Sequence, residues 1–165
     1  MKTRKYKHGL SLVEMLIVVG VIALLATMVI SVASRIDNQA KEKGVESLFA
    51  LLESALEEYK EFQGVFPQQP VKDFAAAAAH SEYLYGELYS VPGSRKILEK
   101  ISDSLIRNEF GAATSPAEIY DPWHVNSQQL RRAIDYMYTA GDNFPQLISA
   151  GQDRTFGTAD DVTNR

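Results

Sequence analysis

Two sets of carboxylates stand where they could do chemistry. The first is a single residue. From Leu10 to Ala33 the chain is apolar almost throughout, and Glu14 is the one formal charge in that run. A carboxylate that deep in an apolar stretch costs several kcal/mol in a bilayer. It needs a partner, and no other residue of the run is charged, so the partner is expected outside the chain. The competing reading is a tolerated polar residue that snorkels to the headgroups from near the membrane face. The second set closes the chain. Ser149 to Val162 carries Asp153, Asp160 and Asp161 among glycines and small polar residues, a composition that reads as a non-helical loop. Calcium takes about six to eight hard oxygens from carboxylates and backbone carbonyls. A glycine-punctuated loop can turn carbonyls inward while the three aspartates neutralise the ion. The spacing is neither that of an EF-hand nor a repeated nonapeptide, and a solvated acidic turn is the alternative.

These groups must be positioned by the elements around them. Lys2, Arg4, Lys5 and Lys7 precede Gly9 with no acid among them. An ordinary secretory signal has an apolar core of about 7–15 residues and a small-residue cleavage site. The run here is some 24 residues, too long for that. A transmembrane anchor needs about 20 apolar residues, which fits. The positive-inside rule then keeps the basic end cytoplasmic and sends the bulk of the chain across. Without the leader, 13 basic residues face 21 acidic ones, a side-chain net of −8. That balance suits cations or basic partners and argues against nucleic acid. There is no cysteine, so disulfides and thiolate chemistry are excluded.

A plain anchor explains neither Glu14 nor the glycine at the junction. Gly9-Leu10-Ser11-Leu12-Val13-Glu14 resembles the class III signal of type IV pilins and type II secretion pseudopilins. The resemblance implies cleavage between Gly9 and Leu10 by a prepilin peptidase and N-methylation of Leu10. Glu14 then becomes the fifth mature residue, where the family keeps a glutamate. Its carboxylate is expected to pair with the terminal amine of a neighbouring subunit and set register. Two details depart from the family: Leu10 stands where phenylalanine is usual, and Ser31 where many members have a kinking proline.

Beyond the apolar run no helix stop occurs until Gly64 and Pro67. Val45, Leu48, Phe49, Leu52, Leu56, Tyr59 and Phe62 recur at three- and four-residue steps. The spacing predicts one helix from Leu10 to Phe62, about 80 Å long. Residues 10–33 are apolar all round, and 34–63 are one-sided and should pack on a globular head of residues 64–165. A free coiled coil is the weaker alternative, since the stripe lasts barely three heptads.

Within the head, Phe66 to Pro70 is an extended break. Lys72 to Ser90 reads as a helix ending near Val91-Pro92-Gly93, and Arg95 to Asn108 as another short helical stretch. Residues 71–118 thus form a helical insertion. Ala133 to Thr139 alternates sides, Ala140 to Asn143 is a turn, and Phe144 to Ser149 reads as a second strand. Trp123 to Asn126 is a candidate third strand, and Trp123 itself is expected in the core. The class is α+β: a long helix, membrane-spanning in its first half, on a small antiparallel sheet with extra short helices.

Asp121-Pro122-Trp123 is similar to the Asp-Pro-Trp-Gly turn of pseudopilins, with His124 in place of glycine. The C-terminal loop is similar to the calcium loop of the major pseudopilin. That resemblance implies side-chain ligands Asp153, Asp160 and Asp161, with the carbonyls of Ala150 and Thr158 added. It implies a structural subunit, inserted in the bacterial inner membrane with its head in the periplasm. An assembly platform with a cytoplasmic ATPase would polymerise it, with minor pseudopilins, into a filament that promotes protein export. Two rivals stand: a type IV pilus or DNA-uptake pilin, and a membrane-tethered calcium-binding module that never polymerises. No Gly-x-Ser-x-Gly elbow, phosphate loop or dinucleotide fingerprint occurs, and His80 and His124 lack the spacing of a zinc pair. No enzymatic activity is expected.

Overall fold

The computed structural model describes residues 11–108, 116–123 and 133–165. They divide into two compact units, one ending at Gln39 and one running Ala40–Arg165. Helix α1, Leu12–Gln63, contributes to both. In the first unit its apolar side chains find no cover: Leu12 is 81% exposed and Ile22 60%. A helix that is apolar all round and uncovered needs lipid or other protein around it. It is also the one helix among the described residues long and apolar enough to cross a membrane.

In the second unit the same helix becomes one-sided. Val45, Leu48, Phe49, Leu52, Leu56 and Tyr59 are buried as the periodicity predicts, together with Ala55. Phe62 is a correction, being 68% exposed. The helix ends one residue later, and Gly64, at φ +83°, turns the chain away. Phe66 fills the core position instead, edge-on to Tyr138 and Phe144 with ring centroids 5.2 and 4.9 Å away.

The insertion opens with a 3-10 turn, Phe74–Ala76, which runs into α2, Ala77–Ser90. Helix α3, Pro92–Leu98, follows, with proline in its first turn, where no N–H is required. The expected helix over Arg95 to Asn108 is therefore corrected. It begins earlier and stops at Leu98, and a second 3-10 turn, Asp103–Leu105, leads into strand β1, Ile106–Arg107. Ile106 is opposite Ile119 of β2, Glu118–Ile119, in an antiparallel pair. The pairing explains the error, because a partner that far along the chain leaves no local period to read.

The expected hairpin is present. Strand β3, Asp135–Met137, pairs antiparallel with β4, Gln146–Ser149, with Tyr136 opposite Leu147. Strand β5, Val162–Thr163, adds to the far side of β4, giving the order β3-β4-β5. Trp123 lies in a turn, not a strand, and residues 124–126 fall outside the described residues. Trp123 is buried in the core as expected. The result is α+β, a long N-terminal helix with small antiparallel sheets and extra short helices.

The insertion is tied into the head by polar contacts as well as packing. Ser81 on α2 donates to the Ile119 carbonyl at 3.2 Å and accepts the Ile119 N–H at 2.8 Å. Ser94 donates to the Ala55 carbonyl of α1 at 2.8 Å. Tyr59 donates to Glu87 at 2.5 Å. His80 of α2 and Asp135 of β3 form a buried contact, Nδ1 to Oδ1, at 2.7 Å.

Candidate functional site

Gly9 and Leu10 lie outside the described residues. Ser11 stands at the N-cap of α1, and its carbonyl accepts the first helical hydrogen bond, from Met15 N–H at 3.2 Å. The Ser11 hydroxyl accepts from Val13 N–H at 3.4 Å, and Glu14 Oε2 accepts from Ser11 N–H at 2.7 Å. The spacing is that of a capping box, Ser-x-x-Glu, with the serine hydroxyl taking the amide of the second helical residue, Val13, and the glutamate reaching back to the Ser11 amide, so that backbone donors at the helix start find partners. The carboxylate also lies at the positive end of the helix dipole. Glu14 therefore has a partner inside its own chain, a backbone amide, whereas the sequence predicts one outside it. The Ser-x-x-Glu spacing was the available signal.

The C-terminal loop grows out of β4. At its start, Asp121 of the Asp-Pro-Trp turn is buried and accepts from the Ser149 hydroxyl, from Trp123 N–H at 2.9 Å and from Ala150 N–H at 3.2 Å. Burial pushes its carboxyl up to about 6, against the opposing pull of these hydrogen bonds. Gly151 N–H in turn donates to Ser149 Oγ at 3.2 Å. Gly151 has φ +62°, and a Cβ there would lie 2.1 Å from the Asp160 carbonyl oxygen, so no other residue fits. The two ends of the loop meet at this glycine.

The three aspartates accept hydrogen bonds from the loop's own amides. Asp153 Oδ1 takes Thr155 N–H at 2.7 Å, Asp160 Oδ2 takes Asp153 N–H at 2.8 Å, and Asp161 Oδ2 takes Gly157 N–H at 2.7 Å. Asp160 Oδ1 also accepts from the Thr158 hydroxyl at 2.6 Å. That hydroxyl first, and then the Asp153 amide, hold the Asp160 carboxyl below the ordinary carboxylate range. The Thr158 carbonyl accepts Asp161 N–H at 3.5 Å, and Ala150 is buried. Among the described residues, no three acidic or histidine side chains converge on one point. Asp161 Oδ1 is buried and meets no hydrogen-bond partner among the described residues. Carboxylate and carbonyl oxygens are the kind of donor calcium takes, and Asp161 Oδ1 is the one left without a hydrogen-bond partner, but the three carboxylates do not converge as a formed calcium site requires.

The sequence reading missed three contacts: Asp121 to Ser149, His80 to Asp135, and Phe156 stacked on Phe74 at 5.0 Å between ring centroids, 11° from parallel. Each joins residues far apart in the chain, with no spacing rule that could reveal it.

Comparison with known proteins adds one match. Residues 4–30 match the family described as the prokaryotic N-terminal methylation motif, which indicates a type IV pilin-like protein. That stretch includes Gly9, Leu10, Ser11 and Glu14. No curated protein and no solved structure matches the chain.

Proposed function

We propose that this chain is a structural subunit of a type II secretion pseudopilus. The observation that carries the reading is the methylation motif, residues 4–30, overlapping the exposed apolar start of α1, where Glu14 is the one charge between Leu10 and Ala33 and sits in the first turn. A prepilin peptidase cuts between Gly9 and Leu10 and methylates Leu10. The subunit waits in the inner membrane as a single-pass protein with its head in the periplasm. An assembly platform then moves it from lipid into a filament core, where the uncovered face of α1 is buried against other copies and minor pseudopilins.

In this reading Glu14 sets register by exchanging or sharing its Ser11 amide with the terminal amine of a neighbour. The acidic, cysteine-free head favours a pseudopilin over a pilus subunit stapled by a disulfide. For calcium to bind here, Asp153, Asp160 and Asp161 would have to turn from the loop amides they accept and converge with the carbonyls of Ala150 and Thr158; the bound ion would then neutralise the loop's negative charge and stabilise the head by mass action.

Co-expression with a prepilin peptidase tests the processing step. Mass spectrometry should find a mature chain beginning at Leu10, and cysteine cross-linking along α1 should give ladders of copies. An uncut leader, or a chain that is cut and never cross-links, refutes the filament reading. Calorimetric titration with calcium tests the loop, and the absence of both heat and a melting shift removes the ion.

A further inference from the structure

We infer that Phe74 is the positioning residue of the acidic C-terminal loop, so that insertion 71–118 acts on that loop through one aromatic ring. The inference goes beyond the proposed function and holds whether or not the loop takes an ion. The loop is exposed over Gln152–Thr155 and Gly157–Ala159, and its hydrogen bonds are short in range. Such a segment opens easily unless something outside it holds it. Phe156 supplies the handle, lying flat against Phe74 with centroids 5.0 Å apart. The Phe74 ring also lies beside Gly157, 3.9 Å from where a Cβ would stand on that residue.

The position of Phe156 in the loop gives the stack its consequence. Its neighbours, Thr155 and Gly157, are the two residues whose amides donate to Asp153 and Asp161. Fixing the ring fixes the direction of both N–H groups, and these in turn aim two of the three carboxylates. The base of the strut is itself held. Asp73 caps the 3-10 turn through Ala75 N–H at 2.9 Å, its carbonyl accepts Ala76 N–H at 2.9 Å, and Lys72 Nζ lies 5.3 Å from the Phe74 centroid. The loop is thereby organised in advance of any ligand, which lowers the ordering cost of binding one.

The test is amide hydrogen exchange on the full chain in detergent micelles with divalent cations chelated. Phe74→Ala and Phe156→Ala should each speed exchange at Thr155 and Gly157 by about tenfold, and the double variant should be no faster than either single one. Phe74→Tyr keeps the ring and should restore protection. The β3–β4 amides report whether the head stays folded. If Phe74→Ala exposes them, Phe156→Ala, which lies outside the sheet, decides. Wild-type protection at Thr155 and Gly157 in Phe156→Ala with the sheet intact overturns the inference. Calcium added in a second arm separates this result from the ion reading: a wild-type loop that is protected yet never responds to calcium removes the ion and leaves the strut standing.

Discussion

The Ser149 hydroxyl, at the end of β4, donates to the carboxylate of Asp121, which is 28 residues earlier in the chain. Through this contact the Asp-Pro-Trp turn holds the point where the sheet becomes the acidic loop. The turn, the strand end and Gly151 form one connected network in which each group depends on the others.

Replacing Asp121 by alanine leaves the Ser149 hydroxyl and the amides of Trp123 and Ala150 without their acceptor, and should cost about 2–4 kcal/mol in denaturant unfolding of the head. The pH dependence has a definite sign. Asp121 titrates at about 6 in the folded chain against 3.8 as an ordinary carboxyl, so the folded state binds the proton more tightly. Its stabilising contribution is complete below about pH 4 and is lost as the pH rises through about 6. Unfolding free energy measured from pH 4 to 7 should therefore carry a downward slope that Asp121→Asn removes. An unchanged slope in that variant assigns it to another group.

Glu14 accepts the Ser11 amide, and in the proposed assembly its charge would act separately from that cap. Glu14→Gln keeps an oxygen for the Ser11 amide, whereas Glu14→Ala removes it and should loosen the first turn by about 1 kcal/mol. Both variants lose the charge. Membrane insertion should be normal in each, and cross-linked ladders should be depleted in both. Ladders lost in Glu14→Ala and kept in Glu14→Gln would make the cap, not an intersubunit ion pair, the feature that assembly needs.

His80 and Asp135 join the insertion to the sheet inside the core. Burial pushes the Asp135 carboxyl up, and the His80 contact pulls it back most strongly among the opposing influences. Removing His80 alone leaves a buried carboxyl whose Oδ2 already meets no partner among the described residues. His80→Ala should cost about 3 kcal/mol or more. A double replacement with apolar residues, His80→Leu with Asp135→Val, should cost clearly less than the two single changes added together. Strict additivity in chemical denaturation would mean that the pair is not coupled.

The sequence alone determined the features that depend on composition and local period. An apolar run of that length is expected to be helical, and the first part of α1 is helical with its apolar side chains exposed. The three- and four-residue stripe from Val45 to Tyr59 follows from helix geometry, and the alternation and turn residues around Gly141 specify the β3–β4 hairpin. The Ser-x-x-Glu cap was legible in the same way. Tertiary structure decided the rest. Ile106 became strand because Ile119 pairs with it, and Phe62 was left outside because the turn at Gly64 brought Phe66 to the core. Asp121, Ser149, Phe74 and Phe156 became neighbours only when the sheet and the insertion packed. The free energy of such contacts comes from burial and hydrogen bonding between residues that are distant in the chain, and no local spacing encodes which distant residue will be opposite.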